Sequence, residues 1–93
     1  MKLSAQEEYG LRCLLQLARQ TPGASLAIPE ISQAEGITHH NTAKLLRILR
    51  QGGIVASARG QHGGYTLAKP ASEIAVADVL AVLGGRLYDD QFC

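Results

Sequence analysis

At 93 residues, with 46% hydrophobic residues, 18% charged residues and a formal net charge of +1, the sequence describes one small folded domain. It holds no run of about 18 apolar residues and opens on the polar stretch MKLSAQEEYG, which excludes a membrane span and fits no signal peptide. A chain this short buries only about 60–65% of its unfolded surface, so a deep catalytic cleft is hard to build. Its two cysteines, Cys13 and Cys93, make no disulfide framework and suit a reducing cytoplasm.

In chain order, Ser4 followed by Glu7 reads as a capping box that opens a first helix at Ala5. Leu11, Leu14, Leu15 and Ala18 then recur at helical spacing and predict one apolar stripe toward a core, ended by Thr21-Pro22-Gly23. Pro29 suits the first turn of a short second helix that runs to about Glu35 and stops at Gly36. Thr38 is a good cap for a third helix from His39 to about Gln51, stopped by Gly52-Gly53. Ile54 to Arg59 predicts a strand, Gly60-Gln61-His62-Gly63-Gly64 a turn, and Tyr65 to Ala68 a returning strand. Val76, Val79, Leu80 and Leu83 predict a fourth helix, ending at Gly84-Gly85 and packing on the first. The expected fold is mainly α with a small β-hairpin, a winged helix-turn-helix.

The charges are unevenly placed. Between Gly36 and Ser72 there is no Asp or Glu, while Lys44, Arg47, Arg50, Arg59 and Lys69 make the stretch locally +5 and all three histidines fall inside it. Phosphate binding selects local basic density rather than total charge, so this stretch is a candidate polyanion-binding strip; a solvated basic face is the alternative. At about 100° per residue, Leu45, Leu46 and Leu49 share one side of the third helix with Thr42, and Ile48 falls on the flank. His40, Lys44, Arg47 and Gln51 fall opposite, with no acid among them. An ordinary solvent face would mix in Glu, so this side reads as a DNA-reading face whose N-terminal end, Thr38 to Asn41, approaches base edges. Arg59 at the hairpin tip suits a wing that enters the minor groove, where concentrated negative potential favours arginine.

Other chemistries find no support. The Gly60–Gly64 turn lacks the lysine and helix of a phosphate loop, and no HExxH, CxxC or nucleophile elbow is present. His39 and His40 are adjacent and point about 100° apart on a helix, so they do not readily share an ion. The chain reads as a non-enzyme.

The sequence resembles the IscR-type family of bacterial winged-helix regulators, many of which carry an iron–sulfur cluster. The resemblance runs from Met1 to Gly85. It rests on Met1-Lys2-Leu3-Ser4 with Tyr9, on Ile31-Ser32 and Gly36-Ile37, on Leu45…Leu49-Arg50, and above all on Gly53-Ile54-Val55 leading into Arg59-Gly60-Gln61-His62-Gly63-Gly64-Tyr65-Thr66-Leu67. It implies a cytoplasmic, dimeric, sequence-specific repressor or activator in contact with double-stranded DNA, with an operator-binding repressor of the iron–sulfur or redox-responsive type as the leading expectation. By position, Thr38, His39, His40, Asn41 and Lys44 correspond to the base-reading surface and Arg59 to the wing arginine. Arg47, Arg50 and Gln61 would add phosphate or flanking contacts, and His62 in the wing is a DNA contact or else merely solvent-exposed. Many relatives carry Tyr-Leu-Glu where this chain has Asn41-Thr42-Ala43, so their operator preference does not carry over.

The same resemblance assigns residues 1–85 to the DNA-binding domain and 86–93 to the start of a sensor and dimerisation segment, with the chain expected to be cut short there. Cys93 falls where the first of three cluster cysteines stands in cluster-binding relatives, and Glu8 where some recruit a further ligand. One thiolate cannot hold a cluster that takes four protein ligands, so no cofactor is expected in this chain and a cluster only in a full-length parent. Cys13 reads as a small buried thiol. Two other functions remain open: a winged helix used as a protein-interaction module, and a cluster-free redox or small-molecule sensor.

Overall fold

The computed structural model describes residues 3–20, 24–57 and 64–84. The elements run α1 (Ala5–Ala18), α2 (Ile28–Glu35), α3 (His39–Gln51), β1 (Val55–Ser57), β2 (Tyr65–Leu67), a short 3₁₀ turn (Ala71–Glu73) and α4 (Val76–Gly84). This is the winged helix-turn-helix expected, with the 3₁₀ turn as an addition.

Helix α1 starts as the sequence predicts. The Ser4 hydroxyl accepts from the Glu7 N–H at 3.1 Å, and Glu7 returns its carboxylate to the Ser4 N–H at 2.9 Å. The apolar stripe is where expectation and structure part. Glu7, Gly10, Cys13, Leu14 and Leu17 are buried, whereas Leu15 is 54% exposed. The buried face is thus rotated by about a quarter turn from the Leu11–Leu14–Leu15–Ala18 line. Gly10 is the cause. A Cβ there would stand 2.4 Å from the Leu83 side chain, so the missing side chain lets α4 press directly on α1. Reading only the large apolar residues overlooks that contact.

Helix α4 packs on α1 as expected, but through half its predicted stripe. Val79 and Leu83 are buried, Leu80 is half-buried, and Val76 is 61% exposed. The Gln6 amide also donates to the Leu83 carbonyl, tying the C-terminal end of α4 to the start of α1. Ile31, Leu46, Leu49 and Leu83 are fully buried, each stabilising the fold by about 1.5–3 kcal/mol relative to exposure.

The wing strands β1 and β2 pair antiparallel in the register Val55↔Leu67, Ala56↔Thr66, Ser57↔Tyr65. A third segment joins them: Leu26 and Tyr65 exchange both backbone hydrogen bonds, at 3.0 and 2.8 Å, and the Thr66 hydroxyl donates to the Ala24 carbonyl at 3.1 Å. Gly64 makes this possible. Its φ of 141° disfavours side chains, and a Cβ would lie 2.8 Å from the Leu26 carbonyl oxygen. The first strand is shorter than Ile54–Arg59; Ala58 and Arg59 lie outside the described residues.

Candidate nucleic-acid interface

The turn between α2 and α3 fixes the direction of α3. Gly36 closes α2 in the left-handed region (φ 68°), which a residue without Cβ adopts at no steric cost. The Ile37 N–H then donates to the Ser32 carbonyl at 3.1 Å, and the buried Ser32 hydroxyl donates to the Ile37 carbonyl. Ile37 itself is buried, so the residue before the cap of α3 is held by backbone, side chain and core together. Ser32 carries this positioning role unnoticed in the sequence; its serine within an otherwise amphipathic helix was the available signal.

Thr38 caps α3 by accepting from the Asn41 N–H at 3.1 Å. One turn on, the buried Thr42 hydroxyl donates to the Thr38 carbonyl at 2.9 Å, while its side chain packs inward with Leu45, Leu46 and Leu49. These four residues form the buried side as the periodicity predicts, and Ile48 is half-buried on the flank. Thr38, His39, His40, Asn41, Lys44, Arg47, Arg50 and Gln51 are all exposed. His40, Lys44, Arg47 and Gln51 fall within an arc of about 60° opposite the buried centre, with His39 and Arg50 on one flank and Asn41 on the other.

The electrostatics of this face are one-sided. The first turn of α3 holds no carboxylate, so beyond the neutral Thr38 cap no acidic side chain offsets the partial positive charge of its N-terminus. Lys44, Arg47 and Arg50 have no ion-pair partner among the described residues, where the only salt bridge joins Arg12 to Glu8 at 2.7 Å. The acids of α1 and α2 are engaged elsewhere. Glu7 holds the Ser4 N–H, Glu30 accepts from the Ala27 N–H at 2.8 Å, and Glu35 accepts from the Gln16 amide. A strip of solvated cations beside a helix N-terminus is suited to a string of phosphates.

The wing residues Arg59, Gln61 and His62 lie outside the described residues, as does Cys93. The described ends of the hairpin are Ser57 and Gly64; β1 packs against α3, whereas the returning β2 packs against α1.

The described residues do not fit a metal cluster. Among them no group of three or more His, Cys, Asp or Glu could hold a metal ion. The Cys13 thiol is buried, and burial, with the Glu35 carboxylate adding to it, pushes its pKa up to about 11 against a smaller lowering by a backbone hydrogen bond. Cys13 therefore presents a protonated thiol near neutral pH. Glu8 is engaged by Arg12. No described helix is long and apolar enough to cross a membrane.

A capped helix-turn-helix followed by a two-stranded antiparallel hairpin defines the winged-helix class of regulator. Residues 3–91 match the family model "Rrf2: Iron-dependent Transcriptional regulator", and the chain belongs to the Rrf2 family. It is 39% identical over 87 residues to the HTH-type transcriptional regulator Rv1287 of Mycobacterium tuberculosis, covering 94% of this chain and 54% of that protein. It is 41% identical over 83 residues to the protein rrf2 of Nitratidesulfovibrio vulgaris, covering 89% and 55%. Among solved structures it is similar to CymR, the global cysteine regulator of B. subtilis, with a TM-score of 0.84 and 32% identity over 91% of this chain and 66% of that one. It is equally similar to T. potens IscR, with a TM-score of 0.84 and 32% identity over 97% and 66%. The chain spans about half the length of the curated relatives it matches.

Proposed function

We propose that this chain is the DNA-binding part of a cytoplasmic transcriptional regulator, not an enzyme, that binds double-stranded operator DNA as a homodimer. Residues 1–85 form the DNA-binding unit, with residues 86–93 leading out of it toward the dimerisation segment. The carrying observation is the exposed side of α3, where Lys44 and Arg47 face outward, Arg50 stands on the flank, and none has an acidic partner among the described residues. Phosphate contacts from these cations supply affinity, and Thr38, His39, His40 and Asn41 at the helix N-terminus supply base preference. Arg59 serves the adjacent minor groove from the wing, with Gln61 and His62 as phosphate or flanking contacts. An iron–sulfur cluster, where a full-length protein carries one, draws on Cys93 and on residues beyond those described.

Duplex binding measured against salt tests this. Lys44→Ala and Arg47→Ala should each weaken binding by about 1–2 kcal/mol and flatten the log–log salt dependence by about one unit for each phosphate no longer neutralised. Affinity that ignores both substitutions and rising salt would sink the assignment.

A further inference from the structure

Between the first turns of α1 and the recognition helix lies a groove of about 210 Å³, lined by Ala5, Tyr9, Ile37, Asn41, Lys44 and Leu45. Its floor is apolar: Ile37 and Leu45 are buried, and Ala5 offers only a methyl group. Around it stand a phenol, an amide and an ammonium, from Tyr9, Asn41 and Lys44, all on exposed residues. Gln6 also borders the groove, but its amide N–H is directed to the Leu83 carbonyl.

Among the described residues no carboxylate lines this groove, although α1 carries two in its first turn. Glu7 is buried with its carboxylate on the Ser4 N–H, and Glu8 is paired with Arg12. The Arg12 guanidinium lies over the Tyr9 ring, 5.4 Å from its centroid. That stacking restrains the ring while leaving the residue 39% exposed. Tyr9 and Lys44 thus border the same groove.

The volume lies below the roughly 300 Å³ at which small-molecule pockets begin, which disfavours a metabolite. An apolar floor rimmed by donors and one cation, with no acid, complements a group that is apolar on one side and anionic on the other. A sugar–phosphate unit has that form. We propose that this groove seats one sugar–phosphate of the DNA strand bordering α3, with Tyr9 as a positioning residue whose hydroxyl donates to a phosphate oxygen beside Lys44. The inference rests on the DNA-binding reading above and adds α1 to the interface. Because α1 is locked to α4 through Gly10 and Leu83, such a contact would fix the register of the whole domain on the duplex rather than that of α3 alone.

The test uses fluorescence anisotropy of the full chain with two labelled duplexes, one selected by the protein from a random-sequence pool and one scrambled. Tyr9→Phe keeps the ring and its stacking, so its thermal midpoint should match the parent. It should weaken both duplexes by the same factor, about three- to tenfold, the worth of one hydrogen bond. The salt slope should stay unchanged, because a neutral donor releases no counterion, whereas Lys44→Ala should lower it. A methylphosphonate scan of the selected duplex should find one position at which the parent loses more than Tyr9→Phe does, the excess matching the three- to tenfold factor, because both lose the Lys44 attraction there but the variant has no hydroxyl contact left to lose. If Tyr9→Phe binds as the parent while Lys44→Ala and Arg47→Ala lose affinity, the seat is refuted and the DNA reading stands. A loss confined to the selected duplex also refutes it, because Tyr9 would then read sequence. If the parent binds neither duplex at low salt, the DNA reading itself fails and the seat with it.

Discussion

Helices α1 and α3 run 14 and 13 residues, are opened by hydroxyl caps and bury one side in the same core, yet they dispose of their charges in opposite ways. On α1, Glu7 is spent on the cap, and Glu8, Arg12 and Tyr9 form a self-contained group of ion pair and stacked ring. On α3, three cations stand in solvent with no acid on the helix and no partner among the described residues. Holding like charges along one face costs self-repulsion, and a chain that builds only for stability would intersperse acids. The difference separates a helix whose charges serve the fold from one whose charges are left for a partner. It also explains how a net charge of +1 conceals a basic face: the acids of α1 and α2 are engaged in caps, in the ion pair and in side-chain bonds.

The comparison can be broken first at the buried sides. Leu46→Ala on α3 removes a fully buried side chain and should cost about 2–5 kcal/mol in denaturant unfolding. Leu15→Ala on α1, at an exposed position that periodicity assigned to the core, should cost under about 0.5 kcal/mol. Equal losses would restore the Leu11–Leu14–Leu15–Ala18 stripe and undo the rotated face of α1.

Gly10→Ala sharpens the point with a smaller expected effect. Alanine gains about 1 kcal/mol of helix propensity over glycine, so a substitution judged on the helix alone is stabilising. Its Cβ would meet a Leu83 side chain that is fully buried, so the leucine or the helix must move, at a typical overpacking cost of about 1–3 kcal/mol. The net expectation is a loss of about 1 kcal/mol, read as a lower thermal midpoint with DNA affinity per folded molecule unchanged. A raised midpoint would mean that α1 and α4 are not locked at this contact.

These two positions also mark how far the sequence could be read. Element order, both hydroxyl caps and the whole inward–outward division of α3 were legible, because large apolar residues at helical spacing and an acid-free opposite side both point the same way. On α1 they do not. Beside Leu14 and Leu17, its interior side is built from Gly10, Cys13 and a capping glutamate, residues whose burial depends on what packs against them, while Leu15 matches the pattern and faces away. The third strand contact of the wing was hidden for a related reason. Leu26 pairs with Tyr65 far along the chain, and its only local trace is a glycine, Gly64, whose missing Cβ gives the Leu26 backbone room. Of the candidate interface, the exposed cations of α3 could be read from the sequence, but the groove at Tyr9 required knowing that α1 begins beside α3.

The smallest effect tests the electrostatic side of the comparison. The Glu8–Arg12 pair is an (i, i+4) bridge with the acid on the N-terminal side, the favourable order, but its side chains are 47% and 48% exposed. Solvent screening therefore limits its worth to under about 0.5 kcal/mol, and Glu8→Gln should lower stability by no more than that, with the deficit shrinking as salt is added. The same substitution leaves Arg12 without its acid while the Tyr9 ring remains beneath it, which adds one uncompensated cation next to the proposed phosphate seat. Duplex affinity should then rise slightly, by up to about threefold, and its salt dependence should steepen. Loss of duplex affinity in Glu8→Gln would overturn the division between the two helices, because a carboxylate of α1 would then be serving the partner rather than the fold.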